Sequence, residues 1–195
     1  MEAPLDLILP LMAIGYLSGT WLGALTVCRL AGVGDPRLAG SCNPGFSNVL
    51  RLHGRRLALA TLLVDMVKGM PVLWMAMLLD LPPAGLGLVG MGVLLGHSYP
   101  AWHRFRGGKG VASAFGVMLV LTPWVALCCA ALWLLLAWRV RTAAVASLAS
   151  AAIAPLVALW LAPEFASVVI VFTLLVLARH VLNIRRLGRG DEPEF

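Results

Sequence analysis

Apolar residues in this chain run in long blocks, not in the one-sided stripes of a soluble helix. Seven blocks can be read, at 5–30, 57–79, 84–100, 111–122, 124–138, 142–161 and 165–179. A bilayer-crossing helix needs about 20 mostly apolar residues, fewer where flanking side chains snorkel. The blocks therefore predict a polytopic bundle of transmembrane helices rather than strands. The fourth block is short, ending at Thr122-Pro123-Trp124, a sequence that predicts a tight turn at a membrane interface. Merging the fourth and fifth blocks with a neighbour gives five spans instead of seven, with the tail on the same side.

Composition agrees, since 61% of the residues are hydrophobic and 12% charged, against about 45–50% and 25% in soluble domains. The net charge of +6 would point to nucleic acid in a soluble chain, so where the bases lie decides. Seven spans put loops 32–56, 101–110 and 139–141 and the tail 180–195 on one side. Every Lys and Arg lies in or beside those segments except Lys68, which is inside the second block. The other side receives Glu2, Asp6, Asp80 and Glu164. The positive-inside rule then predicts an outside N-terminus and a cytoplasmic C-terminus, and no nucleic-acid partner is implied. The start, MEAPLDLILP, carries acids where a signal peptide carries bases, so the first helix is expected to be retained. The four cysteines lack zinc-type spacing, and neither a metal nor another cofactor is expected. With no repeat visible, residues 1–195 read as one helical membrane domain.

Polar residues gather on the basic side, in GDPRLAGSCNPGFSNVLR (34–51), GHSYPAWHRFRGGKG (96–110) and RHVLNIRRLGRGDEP (179–193). In the second of these, Gly107, Gly108 and Gly110 let successive amides turn toward one point. A helix starting near Val111 adds free N–H groups, and Lys109 adds a full charge. The loop suits a phosphate, although it is not a Walker A sequence; its plain alternative is a turn whose lysine serves topology. In the first loop, Ser41, Asn43, Ser47 and Asn48 offer hydroxyls and amides, with Arg51 one turn beyond Ser47, which can cap a helix. Such a segment fits a polyol phosphate, or is a capping loop with a topological arginine. His97, His103 and His180 fall at helix ends on this side and His53 beside a helix start, each able to act chemically or merely to pack. Asp65 and Lys68, three apart, share a helix face and can pair. Charges within a span invite a functional reading, the other reading being a self-neutralising pair. Ser147 and Ser150 can face the same polar end or pack against a neighbouring helix. No His-x4-Asp, Gly-x-Ser-x-Gly or His-Glu-x-x-His pattern occurs.

Taken in order along the chain, SGTWLGAL, DPRLAGSCNPGFSNVLR, DMVKG, GHSYPAWHRFRGGKGVASAFG and HVLNIRRLGRGDEP resemble the bacterial membrane-integral glycerol-3-phosphate acyltransferases that use acyl phosphate, the PlsY family. The resemblance implies seven spans in the inner membrane and one cytoplasm-facing site built from three loops. It implies acyl phosphate and glycerol 3-phosphate as substrates, lysophosphatidic acid as product, membrane lipid as surroundings and no protein partner. By position it implies catalytic roles for Ser41, Arg51, Lys109, His180 and Asn183. It implies substrate binding by Asn43, Ser47, Asn48, His97, Gly107, Gly108 and Gly110. Arg51 and Lys109 would hold phosphate, and a phosphate oxygen of the donor would take the hydroxyl proton, which fits the missing acid-base motif. Cys42, Pro44 and Phe46 depart from the family's glycine-rich first motif, and Val181 and Leu182 stand where Arg and Glu are usual. A divergent paralogue with another acceptor, and a transporter using Asp65 and Lys68, are the alternatives that the sequence leaves open.

Overall fold

The computed structural model describes residues 5–194, so Glu2 lies outside the described residues. Among them the chain is all helical: α1 (Leu5–Gly19), α2 (Gly23–Leu30), α3 (Phe46–His53), α4 (Arg55–Val67), α5 (Met70–Leu78), α6 (Pro83–Ser98), α7 (Val111–Leu121), α8 (Pro123–Val140), α9 (Ala143–Leu161), α10 (Ala166–Arg179) and α11 (Val181–Arg189). Each of the seven apolar blocks is helical at close to its predicted bounds. Four segments are long and apolar enough to cross a bilayer: Leu5–Leu30, Arg55–Leu78, Pro123–Val140 and Ala143–Leu161. The pair Pro163–Arg179 and Val181–Arg189, bent by 53°, makes a fifth if it counts as one. The 11 residues of α7 reach only about 16 Å at 1.5 Å per residue. The turn at Thr122-Pro123 separates α7 from α8 as expected, with Trp124 70% exposed beside it.

Two blocks are broken helices, and the breaks have local causes. Pro71 has no N–H to give the carbonyl four residues back, so the ladder between α4 and α5 lapses around Lys68-Gly69. There the Lys68 carbonyl accepts a hydrogen bond from the Ser18 hydroxyl. The first block breaks at Thr20–Leu22, and the freed Trp21 carbonyl accepts from the Lys68 ammonium at 2.9 Å. The two interruptions thus face each other. The tail is also more ordered than a loop, since 181–189 is helix α11.

The tightest joint is between α1 and α6. Gly15 and Gly19 of α1 lie against the carbonyls of Val89 and Val93, and Gly92 and Gly96 of α6 against those of Met12 and Tyr16, small residues that let membrane helices approach backbone to backbone. A Cβ on Gly96 would stand 2.0 Å from the Tyr16 carbonyl oxygen, and one on Gly92 2.3 Å from that of Met12. The main core, including Val89, Val93, Val117, Val125 and Phe172, lies beside this joint. A second, small core of Ala24, Cys28, Val49 and Ala58 supports the first loop.

Candidate active site

The first loop is pinned from within. Asn48, buried in α3, accepts from the Ser41 amide at 2.9 Å and donates to the carbonyls of Pro36 (2.7 Å) and Ala39 (3.1 Å). Its amide is committed to holding the loop. The α3 N-cap is Gly45, and no side chain caps it, so Ser47 lies within the first turn and not at the cap. The reason is that the extended Gly45 backbone (φ −154°) already starts the helix two residues earlier. Cys42 sits at φ 55°, in the left-handed region, which costs a residue with a Cβ about 1–2 kcal/mol. Phe46 turns edge-on to Trp133 of α8, ring centres 6.3 Å apart.

The glycine loop is held on both sides. The Gly108 N–H donates to the His97 carbonyl at 3.0 Å, and the Arg179 guanidinium donates to the carbonyls of Gly107 (3.0 Å) and Gly108 (3.1 Å). A Cβ on Gly108 would stand 2.2 Å from His97 Nε2, so only glycine fits there. Lys109, half-buried, has no hydrogen-bond partner for its ammonium among the described residues, and burial pushes its pKa down to about 8 against the opposing pull of the Glu192 carboxylate.

In the third segment the carbonyl of Val176 can only accept, so His180 Nδ1, 2.8 Å away, carries the proton and Nε2 is left as an acceptor. Burial holds this ring neutral, its pKa lowered to about 4. Asn183 donates to Glu192 Oε1 at 2.5 Å. The chain end folds back over the first loop, where Arg51 Nε donates to the Glu194 carbonyl at 2.6 Å. Arg51 Nη1 and Glu192 Oε2 are buried without partners among the described residues.

These three segments meet around one cavity of about 460 Å³. Of the residues singled out from sequence, Ser41, Asn43, Ser47, Asn48, Arg51, Asp65, His97, Lys109, Gly110 and His180 line it. Gly107, Gly108 and Asn183 do not; they stand behind it, in the hydrogen bonds just described. Ser147 and Ser150 do face the cavity, which continues between α7, α8, α9 and α10 along Phe115, Met118, Ala130, Ala154 and Phe172. One mouth is therefore cationic and polar, and the remainder is largely apolar, with Ser147, Ser150 and Thr173 among its lining.

Asp65 and Lys68 pair at 3.0 Å, as the spacing predicted. Lys68 Nζ also lies 2.7 Å from His97 Nδ1, and Asp65 Oδ1 accepts from the Gly23 amide at 3.0 Å. An ammonium only donates, so His97 Nδ1 is the acceptor and Nε2 carries the proton. His97 is the penultimate residue of α6, which places this cluster level with the start of the glycine loop.

The profile described as glycerol-3-phosphate acyltransferase matches residues 9–190. The chain belongs to that family. A glycerol-3-phosphate acyltransferase of Chromohalobacter salexigens is 61% identical over 193 residues, 99% of this chain and 94% of that protein. One from Yersinia pestis is 42% identical, covering 96% and 87%. The crystal structure of PlsY, an integral membrane glycerol 3-phosphate acyltransferase, in its glycerol 3-phosphate form superposes with a TM-score of 0.88. It is 33% identical and covers 96% of this chain and 95% of that one. The form with lysophosphatidic acid gives 0.87 at 32%. Within this acyltransferase, two residues of the site carry no mark of their own in the sequence: Glu192, which lines the cavity, and Arg179, which stands behind the glycine loop. Arg179 had been read only as a topological charge. Glu192 had only its place in the quoted tail motif to mark it.

Proposed function

We propose that this chain transfers an acyl group from acyl phosphate to glycerol 3-phosphate at the cytoplasmic face of a bacterial inner membrane that it crosses seven times. It is an integral membrane enzyme, an acyltransferase that makes lysophosphatidic acid from glycerol 3-phosphate, as its family is. The donor, the residue roles, the sidedness and the span count are our reading. One observation carries it: Arg51 Nη1 and the Lys109 ammonium, both without partners among the described residues, flank a cavity whose far walls are largely apolar. The cations suit phosphate oxygens and the apolar walls suit a fatty chain.

In the reaction, a glycerol hydroxyl oxygen attacks the acyl carbonyl carbon and the carbon–oxygen bond to phosphate breaks. Inorganic phosphate leaves, and the hydroxyl proton passes to one of its oxygens. His180, with a pKa near 4, is too weak a base to take that proton at neutral pH, so it orients the hydroxyl through its Nε2 acceptor. Arg51 and Lys109 stabilise charge developing on the phosphate and the tetrahedral oxygen. Ser41, Asn43 and Ser47 line the side where the polyol hydroxyls fit, and the free amides of Lys109 and Gly110 add donors to the phosphate.

A divergent acceptor is not needed, because relatives named for the same activity match more than nine-tenths of this chain. The transporter reading is less well supported, since the three N–H bonds of Lys68 are all taken by Asp65, the Trp21 carbonyl and His97. The test is to give the purified chain acyl phosphate and glycerol 3-phosphate. Lysophosphatidic acid and inorganic phosphate should appear in equal amounts, with no product when acyl thioesters replace the acyl phosphate. Liposome uptake of glycerol 3-phosphate without acylation would overturn the reading.

A further inference from the structure

Arg179 does not line the cavity, yet its guanidinium makes two hydrogen bonds to the glycine loop. Its guanidinium stacks on the Tyr99 ring at 4.8 Å while Nε and one terminal nitrogen reach two consecutive carbonyls, Gly108 and Gly107. Tyr99 is fixed in turn, since its own carbonyl accepts from the Tyr16 hydroxyl at 2.8 Å and the Ala101 amide donates to that same hydroxyl at 3.1 Å. Helices α1, α6 and α10 thus grip one short loop.

The geometry of the peptide unit says what this grip accomplishes. In a trans peptide the carbonyl and the following N–H point in opposite directions. The unit joining Gly107 to Gly108 is held at both ends, its carbonyl by Arg179 and its N–H by the His97 carbonyl. In the next unit, Arg179 holds the Gly108 carbonyl, so the Lys109 N–H must point away from the guanidinium. That amide and the Gly110 amide have no partner among the described residues, and Lys109 and Gly110 line the cavity where Gly107 and Gly108 do not. Gly110 continues the turn at φ 83°, a conformation that brings successive N–H groups toward a common anion.

We infer that Arg179 is a positioning residue for acceptor binding: by fixing two glycine carbonyls outward it presents the Lys109 and Gly110 amides to the phosphate of glycerol 3-phosphate. This rests on the acyltransferase reading above. The role depends on the fork shape of the guanidinium, which spans both carbonyls and stacks on a ring, and not on its charge. An ammonium cannot do both.

The experiment measures kcat and KM for glycerol 3-phosphate at saturating acyl phosphate, and calorimetric binding of glycerol 3-phosphate alone, for Arg179→Ala, Arg179→Lys and Tyr99→Leu. Arg179→Ala should raise KM and Kd at least tenfold while kcat changes less than threefold, and millimolar guanidinium should recover much of the loss. Arg179→Lys, which keeps the charge, should raise KM severalfold, and Tyr99→Leu less. If Arg179→Lys equals the parent, or the loss falls on kcat with Kd unmoved, the inference is overturned. Should Arg179→Ala not fold, the Lys and Leu variants still decide. A parent protein that makes no lysophosphatidic acid from acyl phosphate sinks the acyltransferase reading itself, whereas an active parent with unaffected variants sinks only the role of Arg179.

Discussion

Two sets of buried charge lie within one end of this molecule, and they differ in how completely they are satisfied. In the first, Lys68 donates to Asp65, to the Trp21 carbonyl and to His97, and Asp65 also accepts from the Gly23 amide. All three N–H bonds of the Lys68 ammonium are thereby used. In the second, Arg51 Nη1 and Glu192 Oε2 lack partners among the described residues, and the ammonium of Lys109 is pushed toward neutrality by burial. A buried group without a partner costs free energy that a well-evolved core avoids, so the incomplete set marks where a ligand binds. The complete set is scaffold, holding two broken helices together and fixing the tautomer of His97.

Breaking the scaffold should have the largest effect. Lys68→Met leaves the Asp65 carboxylate with an uncompensated charge and should cost about 3–5 kcal/mol of stability, read as a lowered Tm in detergent. Adding Asp65→Asn should recover most of that. Lys109→Ala should instead leave Tm unchanged or slightly raised while kcat/KM falls at least tenfold, about 1.4 kcal/mol of transition-state stabilisation. If Lys109→Ala destabilises as Lys68→Met does, the distinction between the sets fails.

A pH titration sharpens it further. Lys109 is charged below a pKa near 8 and neutral above it, so phosphate binding should be present at low pH and lost as pH rises. KM for glycerol 3-phosphate should climb severalfold between pH 7 and 9, and Lys109→Arg should remove that rise because its cation does not titrate in this range. The smallest effect is expected at Cys42, whose left-handed backbone favours glycine. Relief of that strain, less glycine's greater unfolded-state entropy, should let Cys42→Gly raise stability by about 0.5 kcal/mol, measured by thermal unfolding at unchanged kcat.

The helical blocks were legible because hydropathy is additive along a chain. The Asp65–Lys68 pairing was legible because a three-residue spacing fixes a helix face. What stayed hidden depends on contacts between distant segments. Nothing near Asn48 in sequence says that its amide is consumed by the loop before it, nor that Gly45 pre-empts Ser47 as the cap. The break at Lys68 has its cause in the sequence, in Pro71, but that the break at Thr20 faces it appears only in the fold. Arg179 looked like one more boundary arginine, and only folding brings it to Gly107 and Gly108, about 70 residues away in sequence.

The contact between α1 and α6 has a consequence for how this enzyme can vary. No atom can be inserted at Gly92 or Gly96 without displacing the facing main chain, so that seam behaves as a keel. Any adjustment to longer or bulkier fatty tails must come from the opposite flank, where α8 is largely uncovered and side chains can change without shifting the frame.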